Sequence, residues 1–140
     1  VTASGYREID HTADLGFDLW ADSMPSLFAE AVLALSEFCY ERTAVLWVEE
    51  RILEVRGTDP EEQLVRWLQE TYMQLESGLW LTAAATDVVL KGEVVKGTLH
   101  GEPIDPARHT LHSEIKAITY HGLKIVREHG LWRTTVVVDV

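Results

Sequence analysis

Residues 15–39 read LGFDLWADSMPSLFAEAVLALSEFC, and the hydrophobic period changes in the middle of that stretch. Up to residue 21 it is two: Leu15, Phe17, Leu19 and Ala21 fall on one side, Gly16, Asp18 and Trp20 on the other, as in a half-buried strand. From Ser23 it becomes three to four. Leu27, Phe28, Ala31, Leu35 and Phe38 line one face, with Ser23 able to cap and Pro25 suited to a first turn, which predicts an amphipathic helix to about Cys39. A strand running straight into a helix makes the fold mixed, and the rest of the chain decides which mixture.

Before this stretch, GYREID is a short strand candidate, with DHTAD (residues 10–14) as connector. After it, residues 44–56 predict one long or broken strand ending at Gly57. A second helix follows at once: Asp59 caps, Pro60 takes the first position, and Glu61 and Glu62 complement the amino-terminal dipole. Leu64, Trp67, Leu68, Thr71, Tyr72 and Leu75 form its apolar face up to Gly78. Beyond lie only strand signals, at 86–91, 93–100, 113–120, 122–128 and 131–139, punctuated by glycines. The pattern predicts an α+β fold: one compact domain over residues 1–140, a largely antiparallel sheet, and two amphipathic helices packed on one side. The strand–helix–strand order recurs as a duplicated unit would, without a convincing sequence repeat.

Composition narrows the function. With 140 residues, 46% hydrophobic and 25% charged, the chain can bury one real core. No apolar run approaches the roughly 20 residues needed to cross a bilayer, and VTASGYREID lacks the features of a signal peptide, so a cytoplasmic location is expected. Cys39 is the only thiol and reads as a buried structural one. The net charge of −11 is unevenly spread: residues 1–80 hold 16 acidic and 5 basic side chains, whereas residues 106–140 hold 3 and 5, together with His109, His112, His121 and His129. Direct RNA binding is therefore disfavoured, and a cation or a basic protein partner suits the first 80 residues better.

Standard phosphate-loop, dinucleotide, zinc-protease and serine-hydrolase signatures are absent from the sequence. His109 and His112 form an HxxH, but on an extended segment residues three apart point to opposite sides. Three features remain. In DHTAD, Asp10 and Asp14 can shape a turn while His11 bonds backbone; for Asp10 and His11 that supporting role is preferred. At the carboxyl end, TTVVVDV fixes Asp139 next to the Val140 carboxylate, and two negative groups so close require either a hard cation with oxygen ligands or exposure of both to solvent. Third, PIDPARH reads as a rigid exposed loop presenting Arg108 and His109 outward, followed by SEIKAITYHG, whose alternation puts Lys116 and Tyr120 on one side. Lys116 is either a surface salt-bridge residue or what a phosphate-handling site would want.

Taken together, DHTAD, GEP-I-DPARH, EIKAITYHGL and an end on Asp-Val resemble the archease family over essentially all 140 residues. The resemblance implies a small α+β accessory protein, not an enzyme, that assists the RtcB-type RNA ligase of tRNA splicing by speeding guanylylation and allowing repeated turnover. It implies a divalent metal ion, calcium-like with magnesium and manganese as alternatives, held by Asp14, Asp139 and Val140. It also implies a functional basic residue, falling on Arg108 or Lys116, with tRNA met only through the partner and no membrane involved. Two other classes stay open: a chaperone-like modulator of a tRNA methyltransferase, and a small-molecule hydrolase using Asp14 and His121. The histidine-rich run beyond 109 has no account in the sequence.

Overall fold

The computed structural model describes residues 4–10 and 15–140, with Asp10 by its backbone alone. His11 and Asp14, and with them the centre of DHTAD, lie outside the described residues. In chain order the elements are β1 (Gly5–Asp10), β2 (Leu15–Ala21), α1 (Met24–Cys39), β3 (Glu49–Arg56), α2 (Pro60–Glu76), β4 (Trp80–Lys91), β5 (Val94–Pro103), β6 (Ala117–Ile118), β7 (Val126–Glu128) and β8 (Leu131–Asp139).

Both helices start where their caps predict. The Ser23 hydroxyl accepts the Ser26 N–H at 3.2 Å, and Asp59 Oδ1 accepts the Glu62 N–H at 2.8 Å while Glu62 Oε1 reaches back to the Thr58 N–H at 2.7 Å. These bonds satisfy donors that the first helical turn leaves without partners. Asp59→Ala is accordingly expected to cost about 1 kcal/mol, read as a lower urea midpoint with an unchanged slope. The two helices are tied together by the fully buried Trp67, whose indole N–H donates to the Phe28 carbonyl at 3.0 Å.

The largely antiparallel strands are divided between two sheets. Among the described residues, one sheet runs β1-β2-β8-β6 with β7 also on β8, and the other runs β3-β5-β4. The division arises because β2 pairs with β8, near the far end of the sequence, and not with β3. Long-range pairing of this kind leaves no mark in local periodicity. In the second sheet β3 and β4 both run antiparallel to β5, hence parallel to each other, with α2 as the crossover. α1 packs on β2 of one sheet and β4 of the other, so a single hydrophobic cluster joins both.

Several boundaries differ from expectation. Strand β4 begins at Trp80, six residues earlier than alternation predicts, because Trp80–Ala83 are all buried and show no period of two. The stretch 44–56 is broken, with one 3-10 turn at Arg42–Ala44 before β3. The expected strand 113–120 shrinks to β6. Its flanks are held singly by different elements instead of by a ladder: the His112 N–H bonds the Cys39 carbonyl, the Ile115 N–H the Tyr72 hydroxyl, and the Lys116 N–H the Asp139 carbonyl. His129 and Gly130, at φ 52° and 78°, make the two-residue turn between β7 and β8. His129 is thus a turn residue.

Candidate functional site

Two groups of the candidate residues sit at different places. The first is built on the GEP motif. In β5, Gly101 faces Leu81 so closely that a Cβ would lie 1.8 Å from its carbonyl oxygen, so only glycine lets the strands meet there. The next residue, Glu102, is 4% exposed and would be costly as an isolated charge. It is surrounded by donors. Glu102 Oε2 accepts the Leu46 N–H at 2.7 Å, Arg108 Nη1 at 3.3 Å and His109 Nε2 at 3.0 Å, and Oε1 pairs with Arg108 Nη2. Because His109 Nδ1 accepts the Asp105 N–H at 2.8 Å, the ring proton belongs on Nε2, aimed at the carboxylate. The Arg108 guanidinium, with the Leu46 and His109 donors adding to it against the opposing effect of burial, holds the Glu102 carboxyl down at about 2.

This corrects the outward presentation of His109. Its ring is buried, with the residue 8% exposed and both nitrogens engaged, so it supports the 103–109 loop. Arg108 is partly exposed, but its guanidinium is committed to Glu102 and, at 3.4 Å, to Asp105. Glu102 itself was missed by sequence reasoning. The signal available was its phase with His100 along the strand and the Arg-His pair six and seven residues on.

The second group lies at the end of β8. Val138 pairs with Leu15, the residue after Asp14 in the chain, and Asp139 pairs with Ala117. The Lys116 N–H donates to the Asp139 carbonyl at 2.7 Å. The register thus draws three distant parts of the chain to one strand end. Asp139, Val140 and Lys116 are exposed there, and among the described residues neither the Asp139 carboxylate nor the Lys116 ammonium has a side-chain partner. Among the described residues no cluster of three or more His, Cys, Asp or Glu could hold an ion. Asp139 and Val140 offer oxygen, which suits a hard cation. Of the two basic candidates, Lys116 is beside Asp139 and Arg108 belongs to the other group.

Residues 6–140 match the family described as the Archease protein family (MTH1598/TM1083). The chain belongs to the archease family. A "Protein archease" of Methanopyrus kandleri is 41% identical over 138 residues, covering 96% of this chain and 99% of the relative. One of Sulfolobus acidocaldarius is 30% identical over 136 residues, covering 96% and 98%. The solution structure of Methanobacterium thermoautotrophicum protein 1598 superposes with a TM-score of 0.80 at 28% identity, covering 97% of this chain and 99% of that one. A Thermotoga maritima crystal structure, described as an archease and possible chaperone, shares the fold at a TM-score of 0.66 and 24% identity, covering 96% of both chains. The α+β architecture is thus that of solved archeases. Among the described residues no helix is long and apolar enough to cross a membrane.

Proposed function

We propose that this archease is a non-enzymatic activator of an RtcB-type RNA ligase in tRNA splicing, promoting guanylylation and repeated turnover through a bound divalent ion, most simply calcium. The observation that supports this reading is the convergence at the end of β8, where Leu15, Lys116 and Asp139 meet and the exposed Asp139 carboxylate has no side-chain partner among the described residues. Asp14, Asp139 and Val140 would hold the ion. Three protein residues leave coordination positions open, and a bound ion would supply positive charge to a phosphate oxygen there. The chain's own share would be to fix that end: β2 and β8 are paired as far as Leu15 and Val138, which would bring the donors to one end of the sheet, and Lys116 would add a second positive group there. A net charge of −11 favours encounter with a basic nucleotide cleft and keeps free tRNA away, so RNA is met through the partner.

The test is ligation with limiting ligase. Product per ligase molecule is expected to rise several-fold when the chain is added, with soluble ligase unchanged. Unchanged product per ligase would sink the proposal, and a rise only in soluble methyltransferase would point to the chaperone-like reading instead.

A further inference from the structure

Between the second half of α2 and residues 111–118 runs an open groove that meets the β8 end only through Lys116 and β6 and takes in none of Glu102, Arg108 or His109. Its main hollow, of about 550 Å³, has an apolar lining of Tyr72, Leu75, Leu79, Ile104, Leu111 and Ile115. Past Tyr72 and Glu76 it opens into a second hollow of about 250 Å³ that reaches Met73, Ala117 and Ile118. Leu79 is 61% exposed, Leu111 53% and Met73 45%, so three large apolar side chains stand in water along one path. On a chain this acidic they form the kind of patch that marks an interaction surface.

The chemistry of the lining selects the occupant. A small-molecule site places a few convergent polar groups inside its walls. Here the Tyr72 hydroxyl oxygen already accepts the Ile115 N–H at 3.0 Å, and the other polar side chains of the lining, Glu76, His112, Ser113, Glu114 and Lys116, are exposed or half-exposed rather than enclosed. An apolar floor whose rim carries two carboxylates, Glu76 and Glu114, against one ammonium, Lys116, matches a polypeptide segment that offers apolar side chains and a Lys or Arg. A second copy of this chain is a poor match, since each copy carries −11. The groove also leads somewhere. Its second hollow ends on Lys116 and β6, which pairs with Asp139, so a segment lying in it would hold its protein against the β8 end.

We infer that this groove is the docking surface for a basic, apolar segment of the partner ligase, with Leu79, Leu111 and Met73 as anchors and Glu76 and Glu114 receiving the basic side chain. The inference rests on the proposed function, and it assigns affinity to the groove and turnover to the β8 end.

The experiment measures the dissociation constant for purified ligase together with the turnover reached at saturating chain. Leu79→Asp with Leu111→Asp, and separately Glu76→Lys with Glu114→Lys, change exposed side chains, and thermal melts report whether each variant is folded. Both double variants are expected to weaken binding by about tenfold or more, and both should recover wild-type turnover when added in excess. Asp139→Ala should show the converse. Wild-type affinity in the folded groove variants would overturn the inference while leaving the ligase reading in place; failure of the wild-type chain to bind ligase would overturn both. A photo-crosslinker at position 111 gives a second arm: capture of a Lys- or Arg-bearing ligase segment supports the inference. Capture of another copy of this chain, or of nothing, contradicts it.

Discussion

Glu102→Ala is expected to unfold at markedly lower urea than the wild-type protein, although Glu102 lies in the other sheet from the strand end that carries the proposed function. The loss comes from what the substitution leaves behind. The buried His109 Nε2–H and the Leu46 N–H lose their acceptor, and an unsatisfied buried donor costs about 1–3 kcal/mol. Glu102→Gln is no remedy, since every neighbour is a donor and the amide turns a donor toward one of them. The network also fixes an acid dependence. The carboxyl sits at about 2 in the folded protein against 4.5 ordinarily, so the unfolded chain binds the proton more readily. The stability this contributes is complete above about pH 4.5 and drains away as pH falls toward 2. Urea midpoints measured at intervals from pH 6 to 2 should fall through that window in the wild-type chain. In Glu102→Gln they should fall less steeply; parallel curves would show that the acid response lies elsewhere.

Asp139→Ala is expected to do the reverse: little to the fold and nearly everything to the function. Asp139 is exposed at the last residue of β8, its backbone carbonyl keeps the Lys116 N–H, and its carboxylate bonds no described side chain. A change of this kind stays within about 0.5 kcal/mol of wild type. Ligase stimulation, by contrast, should drop about tenfold or more, toward the level of ligase alone, because a site built on only three residues that loses one carboxylate loses most of its hold on a hard cation. Lys116→Ala should also lower stimulation without unfolding the chain. Arg108→Ala should instead lower stability with stimulation reduced only as far as folded protein is lost. An Asp139→Ala variant that melts normally and stimulates fully would remove the ion from the mechanism.

Much of the fold was legible because its signals are local. Ser23 and Asp59 cap the helices within a turn of where sequence places them, and β2 and β8 carry plain alternation or an apolar run. What sequence could not supply was partnership over distance. Nothing in LGFDLWA says that its partner is LWRTTVVVD rather than the strand after α1, so the division into two sheets could not be read from it. The site divides the same way. Asp139 and Lys116 came from residue type and resemblance, and the register then set them side by side. Arg108 and His109 look like surface chemistry on a proline-flanked loop until Glu102, a charge buried six and seven residues earlier, is seen to claim both. Alternation marks which side of a strand a carboxylate takes; it does not say that a loop will fold back and cover it.

The most direct measurement is calcium titration followed by calorimetry on the wild-type chain, Asp14→Ala and Asp139→Ala, with thermal melts to establish that all three are folded. The account predicts one saturable site in the wild type and binding about tenfold weaker or more in each variant. Equal calcium affinity in all three proteins, or no binding to the wild type by calcium, magnesium or manganese, would contradict it.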